Sequence, residues 1–358
     1  MSPHQSLTPP TGRITLVAMA VVAAAMDFPW QSARERWVLG IAVIVVITLL
    51  ARWRGLPVTT ILGRWLAMRR HTRGARLADE SGTDARTTAL LRVTPPESSP
   101  DVLPLPLIAG YADRYGLHAD AIRVTSRDST SDTVVRERET WIGLTFSAAD
   151  NLAALQARSP QIPLHKTAEV AARRLADHLR ESGWTATIAE PDDVPGLYAQ
   201  SARETWHGVQ QGSADYVAAY QVKADTALAN TLAAIWSYPV REAWTALELT
   251  GAGDEQTLAV ACAFHTDAPP AAGGPLPGLI SQAGNQRPAL TALHPLSSQQ
   301  LDGHVDLPEA LLLARLRWPS AAIAQQPVAS GRRRPDRTGR PRSDRTPSAA
   351  THHRHRAD

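Results

Sequence analysis

The chain has 358 residues, a formal net charge of +3 and one cysteine, Cys262. A single cysteine excludes an intrachain disulfide and a thiolate metal cluster, and it agrees with a reducing compartment. The charge is uneven, because Leu77–Ala324 carries 18 Lys+Arg against 29 Asp+Glu, whereas Gln325–Asp358 carries nine Arg against three Asp. The body is therefore acidic between basic flanks, and we do not expect it to bind nucleic acid.

Two apolar stretches open the chain, Ile14–Trp30 and Trp37–Trp53, and each has 17 residues. A membrane-crossing helix needs about 20 residues, with about 17 as the lower limit, and tryptophans are favoured at its ends. We therefore predict two transmembrane helices within residues 13–54, after an N-terminal lead of residues 1–12. The alternative for the first stretch is a cleaved signal peptide, since Ala23–Ala25 offers small residues for cleavage.

A dense arginine cluster follows the second stretch. Arg52–Arg76 contains seven arginines and no acid. Arg-rich segments beside a span stay on the cytoplasmic side. We therefore predict a multi-pass protein of the cytoplasmic (inner) membrane with both termini in the cytoplasm. The cluster is also expected to contact anionic lipids, because each juxtamembrane basic residue gains about 1 kcal/mol near such a surface.

Residues 55–100 are predicted to be an Arg-rich juxtamembrane segment and linker, since residues 77–100 are rich in Ser, Thr and Pro. The cytoplasmic domain is expected at residues 101–324, and residues 325–358 are expected to be a disordered basic tail, because they lack apolar periodicity. Within the domain, hydrophobic periodicity predicts helices at His165–Ser182, Ala224–Tyr238 and Pro308–Trp318.

Strand-like segments alternate with these helices. They are Ala121–Thr125, Thr140–Phe146, Trp184–Ala189, Arg203–Val209, Tyr216–Val222, Ala243–Leu249 and Thr257–His265. The polar segment Ser126–Thr133 is predicted to be a turn between the first two. Because several strands are adjacent in sequence, the pattern predicts an α/β (α+β) cytoplasmic domain with a mixed, largely antiparallel sheet, preceded by the N-terminal two-helix transmembrane hairpin.

A short echo recurs in this body, Arg-Glu-Thr-Trp at residues 138–141 and 203–206 and Arg-Glu-Ala-Trp at residues 241–244. In a strand, the Glu and the Trp of each copy face the same side. We interpret the echo as an edge-strand or ion-pair pattern with a buried tryptophan. The alternative is a duplicated unit, but the unequal spacings argue against a regular repeat.

No enzyme signature is present: the sequence lacks a phosphate-binding loop, a dinucleotide fingerprint, His-Glu-x-x-His and Gly-x-Ser-x-Gly. Asp192–Asp193 could hold a divalent ion, but the prolines Pro191 and Pro195 favour a solvated turn there. Cys262 is expected to be a small buried hydrophobe, and His352–His355 an incidental part of a polar tail. We therefore predict no catalytic, cofactor-binding or metal-binding residues, no cofactor and no enzyme activity.

Five segments carry a family resemblance: Tyr220–Lys223, Leu228–Trp236, Trp244–Thr250, Pro275–Gly278 and Gly284–Ser297. Together with the hairpin and its Arg-rich descent, they resemble the EccE family, the E component of the type VII (ESX) secretion machinery of actinobacteria. The resemblance covers roughly residues 10–320 and transfers no site residues. It implies a structural component of the membrane complex that supports assembly or stability of the export machinery, beside the B and D components and the C component, an ATPase.

Two other functions remain open from the sequence. Asp192–Asp193 and the α/β pattern suggest a membrane-anchored glycosyltransferase-like enzyme. The acidic body between basic flanks suggests a membrane-tethered binding or sensor module.

Overall fold

The computed structural model describes residues 85–96, 102–130, 136–161, 163–307 and 315–319, with isolated positions at 52–53, 56–57, 64 and 313. All of them belong to Met1–Gln325, one of the two compact units of the chain. The predicted hairpin, apart from Arg52–Trp53, and the predicted basic tail lie outside the described residues. Within the described part of the chain, no helix has the length and apolar character needed to cross a membrane.

Helices and strands alternate along the described chain. The helices are α1 (Leu105–Ala109), α2 (Leu152–Arg158), α3 (Leu164–Glu181), α4 (Leu228–Trp236) and α5 (Gln286–Leu293). The strands are β1 (Arg52–Trp53), β2 (Leu56–Pro57), β3 (Arg86–Thr94), β4 (Asp113–Arg114), β5 (Leu117–His118), β6 (Ala121–Thr130), β7 (Arg136–Ser147), β8 (Thr185–Ile188), β9 (Arg203–Glu204), β10 (Val209–Gln211), β11 (Asp215–Val222), β12 (Glu242–Thr250), β13 (Thr257–Thr266), β14 (Leu279–Ser281) and β15 (Val305–Asp306).

A single 11-stranded sheet organises the domain. Its main path runs β8-β3-β7-β6-β12-β13-β11-β10-β9, while β14 pairs with β11 and β15 pairs with β13. Every neighbouring pair in it is antiparallel. The short pairs β1–β2 and β4–β5 are separate ribbons. The prediction of an α/β domain with a largely antiparallel sheet is therefore confirmed.

The strand order contains the same arrangement twice. In one half, β3, β6, β7 and β8 lie in the order β8-β3-β7-β6. In the other half, β11, β12, β13 and β14 lie in the order β14-β11-β13-β12, so each half places its fourth, first, third and second strand side by side. The halves join through β6 and β12, which pair antiparallel. The Arg-Glu-x-Trp echo does not mark this arrangement, because its copy at residues 138–141 lies on β7 and its copy at residues 241–244 opens β12, and these are not equivalent strands.

Several local predictions are wrong. The linker interpretation of residues 77–100 fails at Arg86–Thr94, which form β3 between β7 and β8. Ser126–Thr130, predicted as a turn, continue β6 because their backbone pairs with β7 on one side and mostly with β12 on the other. Polar composition favours a turn only where no neighbouring strand satisfies the backbone. The helices α1, α2 and α5 were not predicted, and the helix expected at Pro308–Trp318 lies largely outside the described residues.

Both faces of the sheet are covered. The front face, which carries Ile122, Val124 and Leu247, packs against α1, α3, α4 and Trp318. The back face, which carries Trp141, Trp244 and Ala246, packs against α5 and the chain segments around Leu197 and Leu301. Burial of apolar area on both faces drives folding. It also explains why the central strands are almost continuously buried and do not alternate between apolar and polar residues.

A tight turn between β12 and β13 provides a stability test. Gly251 has φ +74°, and a Cβ there would lie 2.5 Å from the carbonyl oxygen of Glu255. Gly251→Ala is therefore expected to lower the free energy of unfolding by about 1–2 kcal/mol, from the left-handed backbone and the close contact. Urea unfolding of the full chain in detergent, followed by tryptophan fluorescence, measures the change. Gly273→Ala is the control, since no atom lies within 4 Å of its added Cβ; equal effects of the two substitutions would contradict the argument.

Candidate functional site

A buried ion network lies on the back face. Arg123 on β6 and Glu248 on β12 are direct cross-strand partners, and their side chains are 4% and 0% exposed. Arg123 Nε donates to Glu248 Oε2 at 2.8 Å, and the guanidinium also donates to the carbonyl oxygens of His294, Ser297 and Gln299. The network therefore fixes the segment of residues 294–299 against the sheet.

The other oxygen of the same carboxylate completes this network. Glu248 Oε1 accepts the backbone N–H of Leu301 at 2.8 Å and His304 Nε2–H at 3.0 Å. Burial raises the pKa of Glu248, but the hydrogen bond from His304 and the charge of Arg123 outweigh burial, so the pKa lies below its ordinary value. The carboxylate is thus charged and fully occupied within the fold.

A second buried ion pair, Arg138–Asp128, contacts the segment at residues 315–319 on the front face. Arg138 donates to Asp128 through Nε at 2.7 Å and Nη2 at 2.6 Å, and the two side chains are 0% and 1% exposed. Arg138 also donates to the carbonyl oxygen of Pro319 and lies over the ring of Trp236. The Trp318 indole N–H donates to Ser126 Oγ at 2.9 Å. The pair therefore couples the strands to the segment at residues 315–319.

A third cluster joins two copies of the sequence echo. Arg127 bridges Glu139 and Glu242, with distances of 3.1 Å to each carboxylate. Glu242 also accepts the indole N–H of Trp244 at 2.6 Å, and the rings of Trp141 and Trp244 stack 5.8 Å apart. The interpretation of the echo as an ion-pair pattern with a buried tryptophan is confirmed for these two copies.

His265 lies beside this cluster and is a buried part of the fold. His265 Nε2 lies 3.7 Å from Glu242 Oε1, too far for a hydrogen bond. Burial lowers the pKa of His265 despite the nearby carboxylates, so the ring is neutral near pH 7. Burial also raises the pKa of Glu242, but its hydrogen bonds from Arg127 reverse the direction and the net shift is downward. The charges of this cluster are therefore compensated inside the fold.

The sequence candidates for chemistry are explained by local structure. Asp192–Asp193 lie in a 3₁₀ turn, Pro191–Asp193, where Asp193 Oδ2 accepts the backbone N–H of Glu190 at 2.9 Å. This is the solvated turn that the flanking prolines favoured. Among the described residues, no group of three or more His, Cys, Asp or Glu side chains is arranged to hold a metal ion.

Cys262 is fully buried in β13, and burial raises the pKa of its thiol well above the usual range. The thiolate is the reactive form. We therefore expect no alkylation of the folded protein by iodoacetamide at pH 8 over an hour, and complete labelling in 6 M guanidinium, as read by mass spectrometry. Rapid labelling of the native chain would show that β13 opens or that the thiol is reachable.

An open groove lies beside α3, and we call it the Tyr115 groove. It has a volume of about 860 Å³. Its apolar walls are formed by Tyr115, Leu117, Leu164, Val170 and Ala171, and its basic and polar lining by Arg158, Ser159, Gln161, His165, Lys166, Thr167 and Arg174. Tyr115 and Val170 are 46% and 44% exposed, so the apolar surface is open to solvent.

Tyr115 has an unusual backbone. It has φ +59°, and it is followed by Gly116 with φ +68° in the two-residue turn that connects β4 and β5. Positive φ at both central positions defines a type I′ turn, where Asn-Gly is the preferred pair. The guanidinium of Arg174 lies 4.4 Å and that of Arg114 5.3 Å from the centre of the Tyr115 ring. The turn therefore presents a strained aromatic residue between two cations.

Sequence reasoning missed this groove, because it brings together the turn at residues 114–117 and the helix ends around residues 158 and 164–174. Arg173 and Arg174 lie within the helix predicted at His165–Ser182. The available signal was Tyr-Gly in a turn where Asn-Gly is usual, next to an arginine.

Comparison with known proteins identifies the family. A sequence model of the EccE family, described as "Putative type VII ESX secretion system translocon, EccE", matches residues 134–222. The ESX-3 secretion system protein EccE3 of Mycobacterium tuberculosis (strain CDC 1551 / Oshkosh) is 53% identical over 315 residues, which cover 87% of this chain and 93% of that protein. The chain belongs to the EccE family.

Two further relatives have the same name. EccE3 of Mycobacterium tuberculosis (strain ATCC 25618 / H37Rv) is 52% identical over 315 residues, again 87% of this chain and 93% of that protein. EccE3 of Mycolicibacterium smegmatis (strain ATCC 700084 / mc(2)155) is 49% identical over 294 residues, 82% of this chain and 90% of that protein. The EccE resemblance inferred from the sequence is confirmed. The segment matched by the family model includes α2 and α3, which line the Tyr115 groove.

Proposed function

We propose that this protein is a structural component of a type VII secretion complex of the ESX-3 kind, and that it supports assembly or stability of the export machinery. The observation that carries the proposal is the 53% identity over 87% of the chain to an ESX-3 secretion system protein. At this level of identity over nearly the whole length, the two proteins share a fold, and a shared role in the same type of assembly is the simplest inference.

The proposal includes a membrane topology. Two transmembrane helices within residues 13–54 anchor the protein in the cytoplasmic membrane, and Arg52–Arg76 contacts anionic lipids on the cytoplasmic side. The folded body and the basic segment of residues 325–358 are cytoplasmic. Support comes from apolar length, tryptophan placement and the arginine bias, together with a family whose name places it in a secretion translocon.

The proposed role is non-catalytic. The buried pairs Arg123–Glu248 and Arg138–Asp128 are engaged in ion pairs and hydrogen bonds that stabilise the fold. Asp193 is engaged in its own turn, so no observation favours the glycosyltransferase-like alternative. The partners we propose are the other membrane components of the complex, of the B, C and D types, with the C component as the ATPase.

Purification of the tagged full chain from gently solubilised native membranes tests this function. We expect it to recover a large complex that contains an FtsK/SpoIIIE-type ATPase. Recovery of the chain alone, under conditions in which the other components still purify together, would contradict the proposal.

A further inference from the structure

We propose that the Tyr115 groove is a docking site for an acidic segment with apolar side chains, supplied by another component of the secretion complex. That the segment comes from the secretion complex rests on the proposed function. The chemistry of the segment rests on the groove itself.

Basic side chains border the Tyr115 groove. Three cations line the groove, Arg158, Lys166 and Arg174, and Arg114 lies against the ring of Tyr115. Among the described residues, none of these four side chains forms an ion pair with a carboxylate. By contrast, the neighbouring carboxylate of Glu169 is already paired with His165 and Arg173. The body as a whole is acidic, with 29 Asp+Glu against 18 Lys+Arg in Leu77–Ala324. A basic groove on an acidic body attracts an acidic partner and disfavours the protein's own basic flanks.

Apolar lining is the second argument. Leu117 and Ala171 form a buried floor, while Val170 and Tyr115 are exposed walls. Such a surface gains free energy only when apolar atoms of a partner cover it. A concave site with apolar walls and a basic rim matches a peptide segment that alternates acidic and apolar side chains. A flat anionic membrane surface fills the Tyr115 groove less well, because lipid headgroups would leave its apolar floor exposed to water.

The backbone of Tyr115 is the third argument. Asn or Gly at this position would relax its type I′ turn, so the turn itself does not favour tyrosine there. A strained residue that the turn does not favour points to a function. The strain places a large ring at the mouth of the groove, held between Arg114 and Arg174. Aromatic and arginine side chains are the residue types that dominate binding energy at interfaces.

Photo-crosslinking in native membranes provides the test. A photo-reactive phenylalanine analogue replaces Val170 in the full chain. In a control variant, the same analogue replaces Ile280. Ile280 is similarly exposed, at 41%, but lies on β14, outside the groove. After irradiation, we expect the Val170 variant to form an adduct with one segment of another secretion component, rich in Asp or Glu and in apolar residues. The Ile280 variant is expected not to label that segment.

Charge reversal tests the role of the cations. Lys166→Glu combined with Arg174→Glu is expected to reduce the adduct at least about tenfold, since two attractions become repulsions. Arg203→Glu is the matched control, because Arg203 is an exposed arginine on β9, away from the groove, and it is expected to change the yield less than twofold. Tyr115→Asn is expected to reduce the adduct about as strongly while the variant melts within a few degrees of the wild type or above it.

Four outcomes would overturn the proposal: adducts with lipid alone, adducts with this chain alone, no adduct, or an adduct that the charge reversal leaves unchanged. Each is distinguishable from failure of the proposed function, which the purification experiment reports separately. If the complex is recovered intact and the Val170 adduct is insensitive to charge, the groove proposal fails and the secretion role stands. If no complex is recovered but an acidic segment of another protein is labelled in a charge-dependent way, the secretion role fails and the docking chemistry stands.

Discussion

Replacing Glu248 with alanine is expected to lower the free energy of unfolding by about 3–5 kcal/mol. The substitution leaves the Arg123 guanidinium buried with carbonyl partners but without a counter-charge. It also removes the acceptor of the Leu301 N–H and of His304 Nε2–H. Because a buried unpaired charge costs far more than the pair contributes, the loss exceeds that of an ordinary hydrogen bond.

Urea unfolding of the full chain in detergent measures this effect. Asp177→Ala is the matched control, since Asp177 belongs to an ion pair with Arg180 on the exposed side of α3, and its loss is expected to cost no more than about 0.5 kcal/mol. Glu248→Gln is expected to fall between the two, because the amide oxygen can still accept a hydrogen bond but carries no charge. Equal destabilisation by Glu248→Ala and Asp177→Ala would contradict the role of the network.

The same carboxylate makes part of the stability depend on pH. The pKa of Glu248 in the folded protein lies below its ordinary value, so its ionisation stabilises the fold above about pH 4.3, the pKa of an unperturbed glutamate. This stabilisation is lost as the pH falls from there through the lower folded pKa. The difference in stability between wild type and Glu248→Ala is therefore expected to be largest near neutral pH and to shrink in acid. A difference in the free energy of unfolding that stays constant from pH 7 to pH 3 would contradict this pH dependence.

Replacing Arg138 with alanine is expected to lower the free energy of unfolding by a similar amount, about 3–5 kcal/mol. The Asp128 carboxylate would remain buried without its two charge-assisted hydrogen bonds. The carbonyl oxygen of Pro319 would lose its donor, and the Trp236 ring would lose the guanidinium above it. The segment at residues 315–319 would keep the packing of Trp318, its indole hydrogen bond to Ser126 and the hydrogen bond from the Leu103 N–H to the Trp318 carbonyl oxygen, but would lose its contacts with the Arg138 side chain.

Two measurements check this prediction. Urea unfolding gives the stability, and limited trypsin digestion reports the segment, because cleavage after Arg315 and Arg317 is expected to accelerate in Arg138→Ala. The double variant Arg138→Met with Asp128→Leu is the control, since replacing both charges with apolar side chains avoids an unpaired ion and is expected to recover most of the loss. If the double variant is as unstable as Arg138→Ala, lost packing and not the unpaired carboxylate is the cause.

Local sequence patterns predicted the elements whose apolar residues recur at regular helix or strand spacing. The helix α3 was predicted within one residue, because Ala168, Ala172 and Leu175 recur at helical spacing and Gly183 ends the helix with a positive φ. The strands β12 and β13 were also predicted, at Ala243–Leu249 and Thr257–His265, and they pair as neighbours in the chain. The strand β3 was missed, because its partners β7 and β8 lie about 50 and 100 residues away along the chain and its Ser- and Pro-rich neighbours hide its own pattern.

The candidate site was less accessible from sequence than the fold. Nothing in the sequence grouped Arg158, Lys166 and Arg174, and nothing in it placed Tyr115 between Arg114 and Arg174. That contact depends on how the β4–β5 turn packs beside α3. Equally, Arg123 and Glu248 are 125 residues apart in sequence, and their pairing follows from the register of β6 against β12.

The sequence by itself determined the family, the acidic body between arginine-rich flanks, the α/β class and the helix α3. These features depend on composition and on spacing between residues near one another in the chain. The tertiary structure alone decided the duplicated strand order, which charges are buried in pairs and which cations line the Tyr115 groove without a carboxylate partner in the described part of the chain. Those features depend on strand register and helix packing between residues far apart in the chain. Many alternative strand pairings would bury a similar apolar area, and only the complete fold selects one of them.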